Sequence, residues 1–115
     1  MPGIVSLLDE THSTLVKEIW QELKTDCGLT GVLATPLPHF SWQVADGYQR
    51  NVLENIIQNI VATAKPLVVH ATGLGFFTAE SPVVYIPVVR SKQLSEFHEI
   101  IWDHLIPISE NPSPY

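Results

Sequence analysis

Cysteine is nearly absent from this 115-residue chain, where Cys27 stands alone. An internal disulfide is therefore excluded, no zinc-type cysteine pair exists, and a reducing, cytoplasmic setting is expected. Basic residues are also scarce: six Lys and Arg face twelve Asp and Glu, for a net charge of −6. The six (Lys17, Lys24, Arg50, Lys65, Arg90 and Lys92) are scattered along the chain. Affinity for long nucleic acids comes from neutralising many phosphates, so a long duplex is not an expected partner. A single terminal or cyclic phosphate needs only a few well-placed donors and stays open as a ligand. Long apolar runs are missing too. The richest, "PVVYIPVV", is far too short to span a bilayer, and no membrane association is expected. The start, "MPGIVSLLDETH", lacks a basic n-region and a small-residue cleavage site, against a signal peptide. Neither a Gly-rich phosphate loop nor a Ser-His-Asp signature occurs.

What is present is a globular composition, 45% apolar and 16% charged. Residues 1–115 fit a single domain, and at this length roughly two-thirds of the unfolded surface can be buried. "GIVSLLD" (3–9) is a strand candidate. In the segment that follows, Leu15, Val16, Ile19, Trp20 and Leu23 recur at helical spacing, and Gly28 sits where a helix should stop. Residues 29–38 leave room for a brief strand before Pro36 and Pro38 force an extended entry into "HFSWQVA". "DGYQ" fits a helix start, with Asp46 as cap and Gln49 in the reciprocal position. A second apolar stripe runs from Tyr48 to Ala64, and Pro66 closes it. Residues 67–78 read as a strand bent at Gly73 or Gly75, and 81–90 as another in which Pro87 marks an edge or bulge. "SKQLSEFHEIIWDHL" is the third helix, with nothing regular expected in the turn-rich "IPISENPSPY". The expected class is α+β, with helices packed on one face of a mainly antiparallel sheet.

The chemistry-bearing stretch is "LPHFSWQVAD" (37–46). It alternates, with His39, Ser41 and Gln43 on one side and Phe40, Trp42 and Val44 on the other, as a half-buried strand should. A histidine can act as base or acid near neutral pH, and a hydroxyl two residues away on the same face can donate to a phosphate oxygen. With "PHFSW" between two helices and "TGLGFF" (72–77) ahead of a later strand, the chain resembles the N-terminal part of the two-histidine (2H) phosphoesterases. This superfamily comprises RNA 2′-5′ ligase-like proteins and cyclic phosphodiesterases.

The resemblance implies one lobe and part of the second of a bilobal fold, in a domain expected to be incomplete at its C-terminus. It implies a metal-independent, cofactor-free phosphodiesterase or ligase-like activity. The substrates would be 2′,3′-cyclic phosphates, 2′-5′-linked RNA ends or small cyclic nucleotides. His39 would be one acid/base and Ser41 the phosphate donor; apart from the resemblance, Gln43 on the same strand and His70 and Thr72 on a neighbouring strand are candidate substrate contacts. Family members use a second His-x-Ser/Thr, and this chain lacks a fitting one. His98 and His104 lie on the third helix with neither Ser nor Thr two residues on, and His70-x-Thr72 follows His39 by only 31 residues. This form is thus expected to be inactive or impaired, and an exposed sheet edge should favour self-association. The competing expectation is a non-catalytic ligand-binding or oligomerisation module with a ferredoxin-like sheet.

Overall fold

The computed structural model describes residues 1–113. The class is α+β, with three helices and small antiparallel sheets. In order, the elements are β1 (Gly3–Leu7), α1 (Glu10–Cys27), a 3-10 turn (Gly31–Ala34), β2 (His39–Val44), β3 (Gly47–Tyr48) and α2 (Arg50–Thr63). There follow β4 (Gly75–Phe77), β5 (Val83–Tyr85), α3 (Lys92–Leu105), a second 3-10 turn (Ile106–Ile108) and β6 (Ser109–Glu110). The strands do not form the single sheet expected from the sequence. They pair as three two-stranded antiparallel ladders, β1–β2, β3–β6 and β4–β5.

The chain divides into two compact units. The first comprises Met1–Tyr48 and the described residues from Ser109 onward, and is held by β1–β2 and β3–β6. Further main-chain bonds tie it: Ala45 N–H donates to Pro2 (3.2 Å), Asp46 N–H to Glu110 (2.8 Å), and Ser113 N–H to Val44 (2.7 Å). Helix α1 begins where Asp9, in an extended conformation, accepts from the His12 backbone N–H at 2.8 Å. It ends at Gly28, whose φ of 66° suits a residue without Cβ and lets its N–H reach back into the last turn. The expected stripe on α1 is present but never fully buried, and Leu15 is exposed.

The second unit, Gln49–Ile108, pairs α2 with α3 and carries the β4–β5 ribbon. Its buried residues are Ile60 from α2, Leu94, Ile101 and Leu105 from α3, and Ile108. Ser91 caps α3 by accepting from the Leu94 N–H at 3.1 Å. In β4–β5, Gly75 faces Tyr85, and a Cβ there would lie only 2.6 Å from the Tyr85 ring. The aromatic ring occupies the space that the glycine leaves, and it stacks on Phe77 at 4.7 Å between centroids.

Several local expectations are corrected. Residues 29–38 hold a 3-10 turn rather than a strand, since two prolines limit regular pairing. The second helix starts at Arg50 after Gln49, not at Asp46. Gly47 and Tyr48 pair with β6 instead, and the Asp46 carboxylate accepts from Asn111 at 2.9 Å. The strands expected over 67–78 and 81–90 shrink to three residues each plus an isolated bridge, Ala71 with Val88. Gly73, at φ 136°, and Pro87 break the longer ladder. The tail expected to be irregular carries β6, while its last two residues lie outside those described. No described helix is long and apolar enough to cross a membrane.

The cap of α1 yields a prediction. The hydrogen bond from the His12 backbone, then that from its side chain, holds the Asp9 carboxyl below the ordinary carboxylate range. A carboxyl depressed on folding adds stability above its unfolded pKa, and that stability is lost as pH falls through the folded value. Asp9→Ala should lower the thermal midpoint at pH 7, and the gap from wild type should close on acidification. Circular dichroism melts across pH 2.5–7 check this; a gap that is constant with pH would show the carboxylate's charge to be irrelevant.

Candidate functional site

The chain bends through Thr35, Pro36 and Leu37 rather than entering extended, and β2 then runs antiparallel to β1 with Leu7 opposite His39, Ser6 opposite Phe40 and Val5 opposite Ser41. The register then slips, so that Ile4 faces Gln43 and Gly3 faces Val44. Trp42 is the extra residue, forming a β-bulge. Its indole N–H donates to the Ser6 hydroxyl at 2.7 Å, and its ring tilts against Phe40 with centroids 4.7 Å apart. At 4% exposure Trp42 is core.

The bulge changes which side chains share a face. Residues directly opposite in an antiparallel pair point the same way, and a one-residue slip inverts everything beyond it. His39 and Ser41 therefore lie with Leu7 and Val5. Gln43 moves to the other face with Trp42 and Phe40, and Val44 moves the other way. The strict alternation read from the sequence breaks at Trp42, because a bulge leaves no mark on a polar/apolar pattern. Gln43 is entirely buried, and neither atom of its amide has a hydrogen-bond partner among the described residues. Tyr48 Oη donates to the Gln43 carbonyl at 3.4 Å, and burial pushes the Tyr48 phenol above its ordinary pKa.

His39 is exposed, and its Nδ1 lies 2.8 Å from the Leu37 carbonyl. A carbonyl only accepts, so Nδ1 carries the proton and donates, leaving Nε2 with its lone pair directed elsewhere when the ring is neutral. Ser41 is half-buried, roughly 7 Å along the strand from His39 by strand geometry. Its hydroxyl has no hydrogen-bond partner among the described residues. An imidazole with a fixed tautomer and an uncommitted hydroxyl on one open face can exchange a proton with a bound group while donating to its oxygen.

His70 and Thr72 belong to the other unit. They flank the Ala71–Val88 bridge, where the His70 carbonyl accepts from Val89 at 2.8 Å. Thr72 donates both its N–H (3.0 Å) and its hydroxyl (3.3 Å) to the Pro87 carbonyl. That hydroxyl proton is therefore committed, whereas the exposed His70 ring makes no hydrogen bond among the described residues. The remaining histidines serve their helices. His12 Nδ1 reaches Asp9 at 2.7 Å, His98 meets Trp102 edge-on, and His104 Nδ1 donates to the Ile100 carbonyl at 2.7 Å. Among the described residues, no three His, Cys, Asp or Glu side chains gather into a group that could hold a metal ion.

Over 68 residues, the chain is 29% identical to a Staphylococcus epidermidis protein named "Putative phosphoesterase". The match covers 58% of this chain and 40% of that protein, so the chain spans about two-fifths of that curated relative's length. No family model matches the chain. No solved structure matches it either.

The bulge predicts opposite outcomes for two polar residues. Gln43→Leu should leave the thermal midpoint unchanged or raise it, because it removes a buried amide whose polar atoms are unpaired. Ser6→Ala should cost about 1–2 kcal/mol, because it takes the acceptor from a buried indole N–H. Urea unfolding of both variants decides. A large loss in Gln43→Leu would mean that the amide has a partner.

Proposed function

We propose that this chain contributes His39 and Ser41 to the hydrolysis or ligation of phosphodiesters in the manner of the 2H phosphoesterases. Its substrates would be 2′,3′-cyclic phosphates, 2′-5′-linked RNA ends or small cyclic nucleotides. The observation that carries the reading is the His39 Nδ1–Leu37 carbonyl bond, which leaves Nε2 available on the face that also bears Ser41. The name of the Staphylococcus epidermidis protein adds support from a separate direction.

In ring opening of a 2′,3′-cyclic phosphate, a base takes a proton from water as its oxygen attacks phosphorus. The bond from phosphorus to one ribose oxygen breaks, and an acid protonates that oxygen. Neutral His39 Nε2 serves as the base, or its protonated form as the acid. Each such transfer contributes typically about 10²–10⁴-fold. The Ser41 hydroxyl donates to a non-bridging oxygen as charge builds there, a bond worth roughly 1.5–3 kcal/mol to a charged group. The opposite proton transfer needs a second group, which the matching strand of a second lobe would supply. His70 and Thr72 are secondary candidates for substrate contacts. Gln43, buried on the far face of the bulge, would act on substrate only if that face opened.

A second reading is favoured by the exposed apolar side chains on and around β4–β5, among them Phe76, Phe77, Val83 and Val84. Such a surface suits self-association through the ribbon's unpaired edges. It is compatible with the first reading, since a partner strand could also complete a site.

In a form that carries both lobes, His39→Ala should lower kcat on a 2′,3′-cyclic nucleotide by at least about 10²-fold. Ser41→Ala should lower it by about 10- to 100-fold. The 115-residue chain alone should turn over little or nothing. Phosphate-ester product measured by chromatography checks all three, and full turnover in His39→Ala would remove that residue from the mechanism.

A further inference from the structure

We infer that Leu7 and Val5 form an apolar half of the His39–Ser41 site, which takes a singly charged phosphodiester bearing a planar, uncharged group. The inference rests on the phosphodiester reading and names the part of the ligand that the reading leaves open.

Leu7 is the direct cross-strand partner of His39, and Val5 that of Ser41. Opposed residues in an antiparallel ladder hold their Cβ atoms about 4.5–5.5 Å apart on one face. The two polar side chains thus run in a row on β2, and two aliphatic ones run in a parallel row on β1. Leu7 is 63% exposed and Val5 40%. The rest of the ladder sorts differently, since the same register places Trp42, Phe40 and Ile4 on the opposite, better covered side. A ligand whose phosphate sits over His39 and Ser41 must lay its remaining atoms along the strands or across them. Across them it meets Leu7 and Val5, and covering exposed aliphatic carbon with a flat ring is favourable at roughly 25 cal/mol per Å².

Charge restricts the phosphate. The only basic side chains in this unit are Lys17 and Lys24, both on α1, and neither strand of the ladder carries one. The first charged group after Leu7 is the Asp9 carboxylate. The ladder itself thus offers a dianionic monoester no ammonium or guanidinium, whereas a hydroxyl and an imidazole suffice for the single charge of a diester. Opening a cyclic diester converts one charge into two, so the same face would hold product less well than substrate.

Isothermal titration of the 115-residue chain tests this with three probes: adenosine 2′,3′-cyclic phosphate, the same cyclic ribose phosphate without a base, and adenosine 5′-monophosphate. The base-bearing diester should bind about five- to tenfold more tightly than the baseless one. Leu7→Ser should abolish that ratio, Val5→Ser should reduce it, and Leu7→Met should keep it. Both residues are exposed, so the variants should melt like wild type, and two positions guard against a local defect at either. If both diesters bind, weaken in His39→Ala and show no ratio, the apolar half is wrong while the phosphodiester reading survives. A ratio that persists in Leu7→Ser has the same meaning. If neither diester binds, or His39→Ala changes nothing, this inference falls, while turnover by a form that carries both lobes decides the phosphodiester reading separately. A monoester bound as tightly as the diester overturns the restriction on charge.

Discussion

A single indole governs the arrangement of this protein's candidate chemistry. Trp42 enters β2 as one residue too many for its partner strand, and its N–H is anchored on Ser6 across the ladder. A buried indole N–H without an acceptor is costly, so this bond fixes where the bulge lies. Once it is fixed, the side chains on either side are sorted. His39 and Ser41 stay on the open face, whereas Gln43 is turned into the interior. Without the bulge, Gln43 would join the polar row and Val44 would take its place beside Trp42.

The His39 ring is fixed by a second local device, its own backbone. The chain bends through residues 35–37 before β2, and the carbonyl of Leu37 lies within reach of Nδ1 two residues later. The tautomer is thereby set by main chain that a surface substitution cannot easily move. This economy matters in a unit with little fully buried apolar material: Trp42 and Ala45 are its only buried apolar side chains among the described residues, apart from Pro38.

Much of the architecture was legible in the sequence because it rests on local rules. Asp9, Gly28 and Ser91 mark helix ends through hydrogen bonds that their own neighbours supply. Of the stripe expected on the third helix, Leu94, Phe97, Ile100, Ile101 and Leu105, the helical period buries Leu94, Ile101 and Leu105, leaves Phe97 half-buried and exposes Ile100. The alternation of "HFSW" correctly places His39 and Ser41 on a strand. What was not legible depends on partners distant in the chain. Gly47 and Tyr48 are a strand only because Ser109 and Glu110 return to them, and nothing near Asp46 announces this. The slip at Trp42 arises from the geometry of a ladder with β1, which no pattern within β2 encodes. The long strands expected around His70 and Tyr85 fail for the reverse reason. Their β-branched content is real, but Gly73 and Pro87 remove the continuity a ladder needs.

The two-residue pairing of β3 with β6 makes Gln49–Ile108 a closed excursion, leaving and re-entering the first unit at adjacent points. The ends of such an insert lie a strand spacing apart, about 5 Å. A short turn could therefore bridge Tyr48 to Ser109 and release the His39 unit as a miniature protein. In the intact chain, that clasp can form only after the whole intervening segment has looped back, a loss of chain freedom that grows with the logarithm of loop length. Assembly of the first unit is thus tied to a contact that can form only once the residues after Ile108 have emerged.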